Sequence, residues 1–488
     1  MSTATPTELA QRAGQAFGWS FLNTVGSRLG TLAIGIALAR LLGPAEFGTF
    51  AVATVAMLAM LSFNELGVSL AVVRWRDDPA TIVPTVNTIS TVSSTVLLLV
   101  VLATAPAFAT AMGDPGATDV VRLMSVAILI NGAVATPAAL MQREFQQRRR
   151  LIVDQLNAWL GAGVSLLLAW LGFGAMSLAV GRITGALVSA VLFLIWSPLP
   201  YRFGFDRAVA RRLLGFGLPL AGSSMIVFAV GYADQLVAGS VLGATALGFY
   251  VLAFNLSSWP VSIFSQPLRS VAPAAFARLQ DDRPRMASTF RAVLGVLSAV
   301  TFPVCLVLVG AAGPVVGFVY GSRWLPAAEA LVALGALAVC RILFELSYDF
   351  LVVLGRTSSI LAVQGLWLVV LVPALVLGAR LGGISGVAVA QLLVAAWIVL
   401  PCYGALLHRN GVRVGAVVRV LVLPVAVGLA VAGLAWMIAG AVPGRLLACL
   451  LAGLGALAGV AILLVLRRDT LATYRRMRSV QVTGVEPA

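Results

Sequence analysis

The chain has no lysine: all thirty-three of its basic residues are arginine. That absence excludes a Walker A lysine and a Schiff-base lysine, so the chain carries neither its own P-loop nor lysine-dependent covalent chemistry. It has a single histidine, His408. One imidazole leaves little from which to build a metal cluster or a Ser-His-Asp arrangement. The four cysteines, Cys305, Cys340, Cys402 and Cys449, are widely spaced within apolar segments and read as small packing residues. Charge of any sign is scarce, at 10% of residues against 60% hydrophobic. A mean hydropathy of +1.01 describes more apolar surface than a water-soluble globule of this length hides.

What is present is a succession of long apolar runs. Crossing about 30 Å of hydrocarbon takes roughly 20 apolar residues as a helix. On that criterion the sequence predicts an all-α integral membrane protein of about fourteen spans. They run near 16–42, 46–72, 83–112, 118–140, 151–171, 175–197, 213–240, 245–267, 288–312, 326–353, 357–379, 384–406, 417–440 and 446–466. Arginines concentrate in alternate connections, among them Arg143, the run Arg148 to Arg150, Arg202, Arg207, Arg211, Arg212 and the tail from Arg467 to Arg478. Short cytoplasmic loops carry the positive excess, so both termini are expected inside. The net charge of +15 is thus chiefly a topology signal. Its dispersal over many loops argues against a nucleic-acid partner.

The chain is also doubled. Leu42-Gly43, Phe47-Gly48 and Phe50 return about 200 residues later as Leu242-Gly243, Leu247-Gly248 and Tyr250, in the same order. Such parallel repeats commonly form two bundles about a pseudo-twofold axis with a substrate site between them, which points to transport. The expected organisation is a cytoplasmic segment 1–15, a six-helix bundle 16–200, a cytoplasmic linker 201–212, and a second six-helix bundle 213–406. Two extra helices, 13 and 14, follow over 407–466, then a cytoplasmic tail 467–488. Outer connections are short Gly/Pro turns, and Arg269 to Arg285 reads as an interfacial amphipathic helix or an ordinary polar connector.

Ionisable side chains inside spans cost roughly 2.5 to 3.5 kcal/mol and usually face a bundle interior or a wet cavity. Those here are Arg28, Glu65, Arg182, Asp234, Arg341, Glu345 and Asp349. Arg28, Arg182 and Arg341 are the candidate cavity cations for a phosphate. Asp234 is the candidate ion-coupling acid, with Glu65, Glu345 and Asp349 as further cavity acids. Each has a plainer alternative. Arg28 pairs with Glu65; Arg341, Glu345 and Asp349, at four-residue steps on one helix face, neutralise one another; Asp234 packs a helix or lies at the outer mouth.

Several runs then resemble a known family. They are Ala39-Arg40-Leu41-Leu42-Gly43-Pro44-Ala45-Glu46-Phe47-Gly48, Gln142-Arg143-Glu144-Phe145, Ala233-Asp234-Gln235-Leu236, Leu247-Gly248-Phe249-Tyr250, Ala274 to Asp282, and Tyr320-Gly321-Ser322-Arg323-Trp324. In order, over about 15–410, they resemble the Wzx-type polysaccharide flippases, in particular the colanic-acid and teichuronic-acid exporter branch of the MOP superfamily. The resemblance implies a MATE-like fold of two pseudo-twofold-related six-helix bundles. It implies passage of undecaprenyl-diphosphate-linked oligosaccharide from the inner to the outer leaflet of a bacterial cytoplasmic membrane. Alternating access would be coupled to H+, Na+ or the membrane potential, with no cofactor, metal or catalysis. Lipid-linked oligosaccharide, membrane lipids, and a glycan polymerase with chain-length machinery are the implied partners. Helices 13 and 14 depart from twelve-helix members, while a related lipid II flippase has fourteen. The competing readings are a MATE-type multidrug or cation antiporter, a glycan polymerase or ligase, and a scaffold.

Overall fold

The computed structural model describes residues 33–64, 72–73, 75, 78–144, 146–265, 269 and 272–467, among which there is no β-strand. The helices are α1 (33–41), α2 (Pro44–Asn64), α3 (Val83–Ala111), α4 (Thr118–Arg143), α5 (Gln147–Trp170), α6 (Ala175–Ile195), α7 (Arg207–Leu242) and α8 (Ala244–Pro260). They continue as α9 (Ala272–Ala277), α10 (Arg283–Gly310), α11 (Ala312–Val319), α12 (Ala327–Val353), α13 (Thr357–Val394), α14 (Leu400–Arg409), α15 (Val414–Ala441) and α16 (Arg445–Leu466). With no water in hydrocarbon to satisfy backbone polar groups, helices that bond internally are the natural outcome of these apolar runs.

Among the described residues twelve stretches are long and apolar enough to cross a membrane. One of them, Thr357–Arg409, holds 53 residues, which as one straight helix would extend about 80 Å. It turns at Gly382 and Gly383, where Gly383 has φ 59°. A glycine meets that conformation without steric cost. Beyond the turn Gly386 lies so close to Gly378 that a Cβ on it would stand 2.0 Å from the Gly378 carbonyl oxygen. This stretch is therefore two of the expected spans, the eleventh and twelfth. The first expected span, 16–42, is described only from residue 33 onward. Trp170, Trp397 and Trp436 are 74%, 76% and 72% exposed, as lipid-facing rings on a membrane protein are.

The expected helix over Arg269 to Arg285 is broken. Ala272–Ala277 forms one turn and a half, and Asp282 then starts α10 by accepting the Arg285 backbone N–H at 3.0 Å. Asp at the N-cap followed by Pro284 in the first turn is a strong start signal, and it overrides continuation of the preceding helix.

Two compact units are present, one of Ile34–Val251 with Leu368–Val387, the other of Leu252–Trp367 with the chain from Ala388 on. In the first unit the repeated landmarks meet each other. A Cβ on Gly48 would stand 2.0 Å from the Ala244 carbonyl oxygen, and one on Gly248 would stand 2.4 Å from that of Pro44. The starts of α2 and α8 thus cross reciprocally, each glycine taking the other helix's first turn against its bare backbone.

In the second unit α15 and α16 pack on α10. Val307, Ala311, Val431, Ala435, Ala452 and Ala456 form their shared core. Gly310 approaches α15 so closely that a Cβ would stand 2.0 Å from the Ala432 carbonyl oxygen. Arg467, just beyond α16, donates to the carbonyl oxygens of Gly295, at 2.9 Å, and Val420. Burial pulls the pKa of that guanidinium below its usual value.

Candidate functional site

Within the first unit lies a chamber of about 930 Å³. Two of its walls are single helix faces. On α5 the lining residues include Arg150, Asp154, Asn157, Gly161 and Ser165, and on α6 they are Leu178, Arg182, Ala186, Ser189 and Phe193. Both series advance in steps of three and four, the spacing that keeps side chains on one side of a helix. Asn131 and Gln142 of α4, Ser90 of α3 and Ser224 of α7 add to the polar lining, and Phe50 and Met57 of α2 supply an apolar wall. The Arg150 Nη1 donates to the Gln142 Oε1 at 3.1 Å. Among the described residues two guanidinium groups face one carboxylate, so the lining they form is net positive.

Of the candidate cations, Arg182 opens onto this chamber. Asp154 and Arg150 do so as well and were not anticipated as site residues. Their signal was in the sequence as the polar stripe at 150, 154, 157, 161 and 165. Arg150 also closes the basic run Arg148 to Arg150 that marks a cytoplasmic connection.

In the second unit, the polar face of α12 is an ion cluster. Arg269 donates to Asp349 through Nε at 2.6 Å and Nη2 at 2.9 Å, and to Glu345 through Nη1 at 2.7 Å. Arg341 stands 3.8 Å from the other oxygen of Glu345 and donates to the Ser258 hydroxyl at 2.9 Å. Its guanidinium carbon lies 5.2 Å from the centre of the Phe254 ring, a cation-π distance. The two acids are thus held chiefly by Arg269, a residue outside the helix. Burial opposes the charge on Arg269, but its hydrogen bond to Asp349, with the two carboxylate charges, outweighs that and raises its pKa. Arg341, Glu345 and Asp349 do lie together, and a fourth residue brings the set to neutrality.

Asp234 is fully buried and is not among the chamber's lining residues. It accepts the Tyr250 hydroxyl at 2.8 Å and the Gln235 backbone N–H at 2.9 Å. This hydrogen bond is of the kind the helix-packing alternative for Asp234 describes. Tyr250 lies 16 residues away, across the α7–α8 turn. Arg28 and Glu65 lie outside the described residues. Among the described residues no group of His, Cys, Asp and Glu could hold a metal ion.

Residues 37–329 match the family model described as polysaccharide biosynthesis protein. The chain belongs to that family. Membership bears out the Wzx-type resemblance. The succinoglycan biosynthesis transport protein ExoT of Rhizobium meliloti is 27% identical over 340 residues, covering 69% of this chain and 68% of the relative. The lipopolysaccharide biosynthesis protein WzxC of Escherichia coli is 23% identical over 359 residues, 73% of each chain. Among solved structures, the lipid II flippase MurJ in an inward closed conformation superposes with a TM-score of 0.73 at 12% identity, covering 92% of this chain and 98% of that one. An inward-facing multidrug resistance MATE transporter of the MOP superfamily gives 0.61 at 17% identity, covering 80% and 96%. The fold is the MATE-like fold of that superfamily, in a multi-pass membrane protein of the polysaccharide biosynthesis family.

Proposed function

We propose that the protein flips polyprenyl-diphosphate-linked oligosaccharide units from the inner to the outer leaflet of a bacterial cytoplasmic membrane, by alternating access and without catalysis. The observation that carries this reading is the net positive chamber. Arg182 and Arg150 offer planar donors to a diphosphate or other anionic group of the cargo. Asn131, Asn157 and Gln142 offer the amide donors and acceptors that sugar hydroxyls require. Family membership and the transport relatives support the same reading.

Coupling to H+ or Na+ belongs to the proposal. Among the described residues Asp154 is the carboxylate open to the chamber, while Asp234 is sealed by Tyr250 and serves the α7–α8 packing. Both termini inside, and a downstream glycan polymerase with chain-length machinery, complete the picture.

The fold shared with a MATE transporter favours a second reading, export of soluble aromatic cations. The chamber's excess of guanidinium groups repels such cargo. Reconstituted vesicles separate the two. Movement of a lipid-linked oligosaccharide between leaflets, lowered at least tenfold by Arg182→Ala, supports the proposal; ethidium transport without lipid movement overturns it.

A further inference from the structure

The segment 201–206 joins α6 to α7 and has no helix or strand of its own, yet it is fixed along the first turns of α3. The Tyr201 hydroxyl pairs with that of Thr91 at 3.1 Å. Asn87 donates to the Arg202 carbonyl at 2.9 Å. The Thr88 hydroxyl lies 2.8 Å from the Gly204 carbonyl oxygen and accepts the Gly204 N–H at 3.2 Å. Thr85 accepts the Asp206 N–H at 3.1 Å. From Thr91 to Thr85 the strap climbs about 9 Å along α3. That part of α3 is rich in Thr, Asn and Ser, with a continuous apolar run only from Val96. The strap therefore lies beside the polar end of this span and not beside its continuous apolar run.

What it displays is a mixed surface. Phe203 and Phe205 are 63% and 67% exposed, and Phe203 is braced edge-on against Tyr201 with ring centres 5.4 Å apart. Arg202, Arg207 and Arg211 are all exposed, and none is in an ion pair among the described residues. The nearest acid in sequence, Asp206, is occupied in accepting the Ala208 and Val209 backbone N–H groups at the start of α7. Exposed arginines beside exposed phenylalanines on a backbone held to α3 match the mixed chemistry of one kind of partner, a phospholipid with a negative headgroup.

We infer that the 201–206 strap, with Arg207 and Arg211, is a binding site for an anionic phospholipid. The guanidinium groups of Arg202, Arg207 and Arg211 take the headgroup phosphate, and Phe203 and Phe205 take the upper acyl chain. A basic residue at an anionic surface contributes about fivefold in affinity, so the three together give on the order of a hundredfold.

The test is native mass spectrometry of the full chain with phosphatidylglycerol and phosphatidylcholine in competition. The wild type is expected to retain phosphatidylglycerol preferentially. The combined variant Arg202→Gln, Arg207→Gln, Arg211→Gln should lose that preference about a hundredfold. The corresponding triple lysine variant, which keeps the charge, should preserve most of it. Phe203→Ala with Phe205→Ala should weaken both lipids alike. Unchanged preference in the glutamine variant overturns the inference, as does inorganic phosphate displacing the lipid at equal concentration, which marks a simple anion site. If the triple variant fails to fold, single glutamine variants are expected to lose about fivefold each, and no loss in any of them overturns it equally.

Discussion

Arg269 holds two carboxylates that lie on another helix, and its removal is the sharpest perturbation the structure offers. Three charged hydrogen bonds, at 2.6, 2.7 and 2.9 Å, are lost together in Arg269→Ala. The side chains of Arg269, Glu345 and Asp349 are 23%, 21% and 13% exposed, so the acids left behind are only partly reachable by water. Breaking a buried pair by deleting one partner costs about 3–5 kcal/mol. Partial exposure places this cluster near the lower end, at about 3 kcal/mol. Arg341 relieves some of the strain on Glu345 from 3.8 Å but is far from replacing a bidentate grip on Asp349. The assay is unfolding of purified protein in detergent, by denaturant or heat. Adding Glu345→Gln and Asp349→Asn to Arg269→Ala should recover most of the loss, because neutral amides need no counter-charge. A variant Arg269→Ala within about 1 kcal/mol of the wild type refutes the reasoning, as does failure of the neutralised triple variant to recover.

Gly48→Ala forces a methyl group to within 2.0 Å of the Ala244 carbonyl oxygen and is expected to destabilise the first unit by about 1–3 kcal/mol, read as a lowered Tm. Gly248→Ala, at 2.4 Å from the Pro44 oxygen, should act in the same direction, whereas Gly35→Ala, with open space around it, should not. Tyr250→Phe removes a donor from the buried Asp234 and should cost about 1–3 kcal/mol of stability. If Asp234 is structural, Asp234→Asn should leave the coupling ion and its stoichiometry unchanged in vesicle flux, while Asp154→Asn alters them.

The spans were legible because the bilayer imposes one length on every crossing, so apolar runs such as 83–112 and 326–353 announce themselves. Even the kinked helix over Thr357–Val394 is readable as parts of two spans, since Gly382 and Gly383 interrupt the apolar pattern where the backbone turns. The repeat was equally plain, but its purpose was not. Nothing local to Phe47-Gly48 indicates that Gly48 is a glycine because Ala244 needs the space. The charged residues were found more easily than their partners. Arg341, Glu345 and Asp349 share a face by periodicity alone, whereas Arg269 reaches them from a segment that reads as a polar connector. Tyr250 joins Asp234 across a turn, a pairing that helical spacing does not encode. Asp154 and Arg150 were within reach of periodicity, since with Asn157 and Ser165 they form one stripe on α5.

The central claim is that the net positive chamber carries the charged head of a lipid-linked glycan between leaflets. Its most direct test is leaflet translocation of a polyprenyl-diphosphate oligosaccharide in vesicles containing only this protein, with wild type, Arg182→Ala and Arg182→Lys compared at equal folded amounts. The account predicts translocation by the wild type, a loss of at least tenfold in Arg182→Ala, and partial retention in Arg182→Lys. Wild-type rates in Arg182→Ala contradict it.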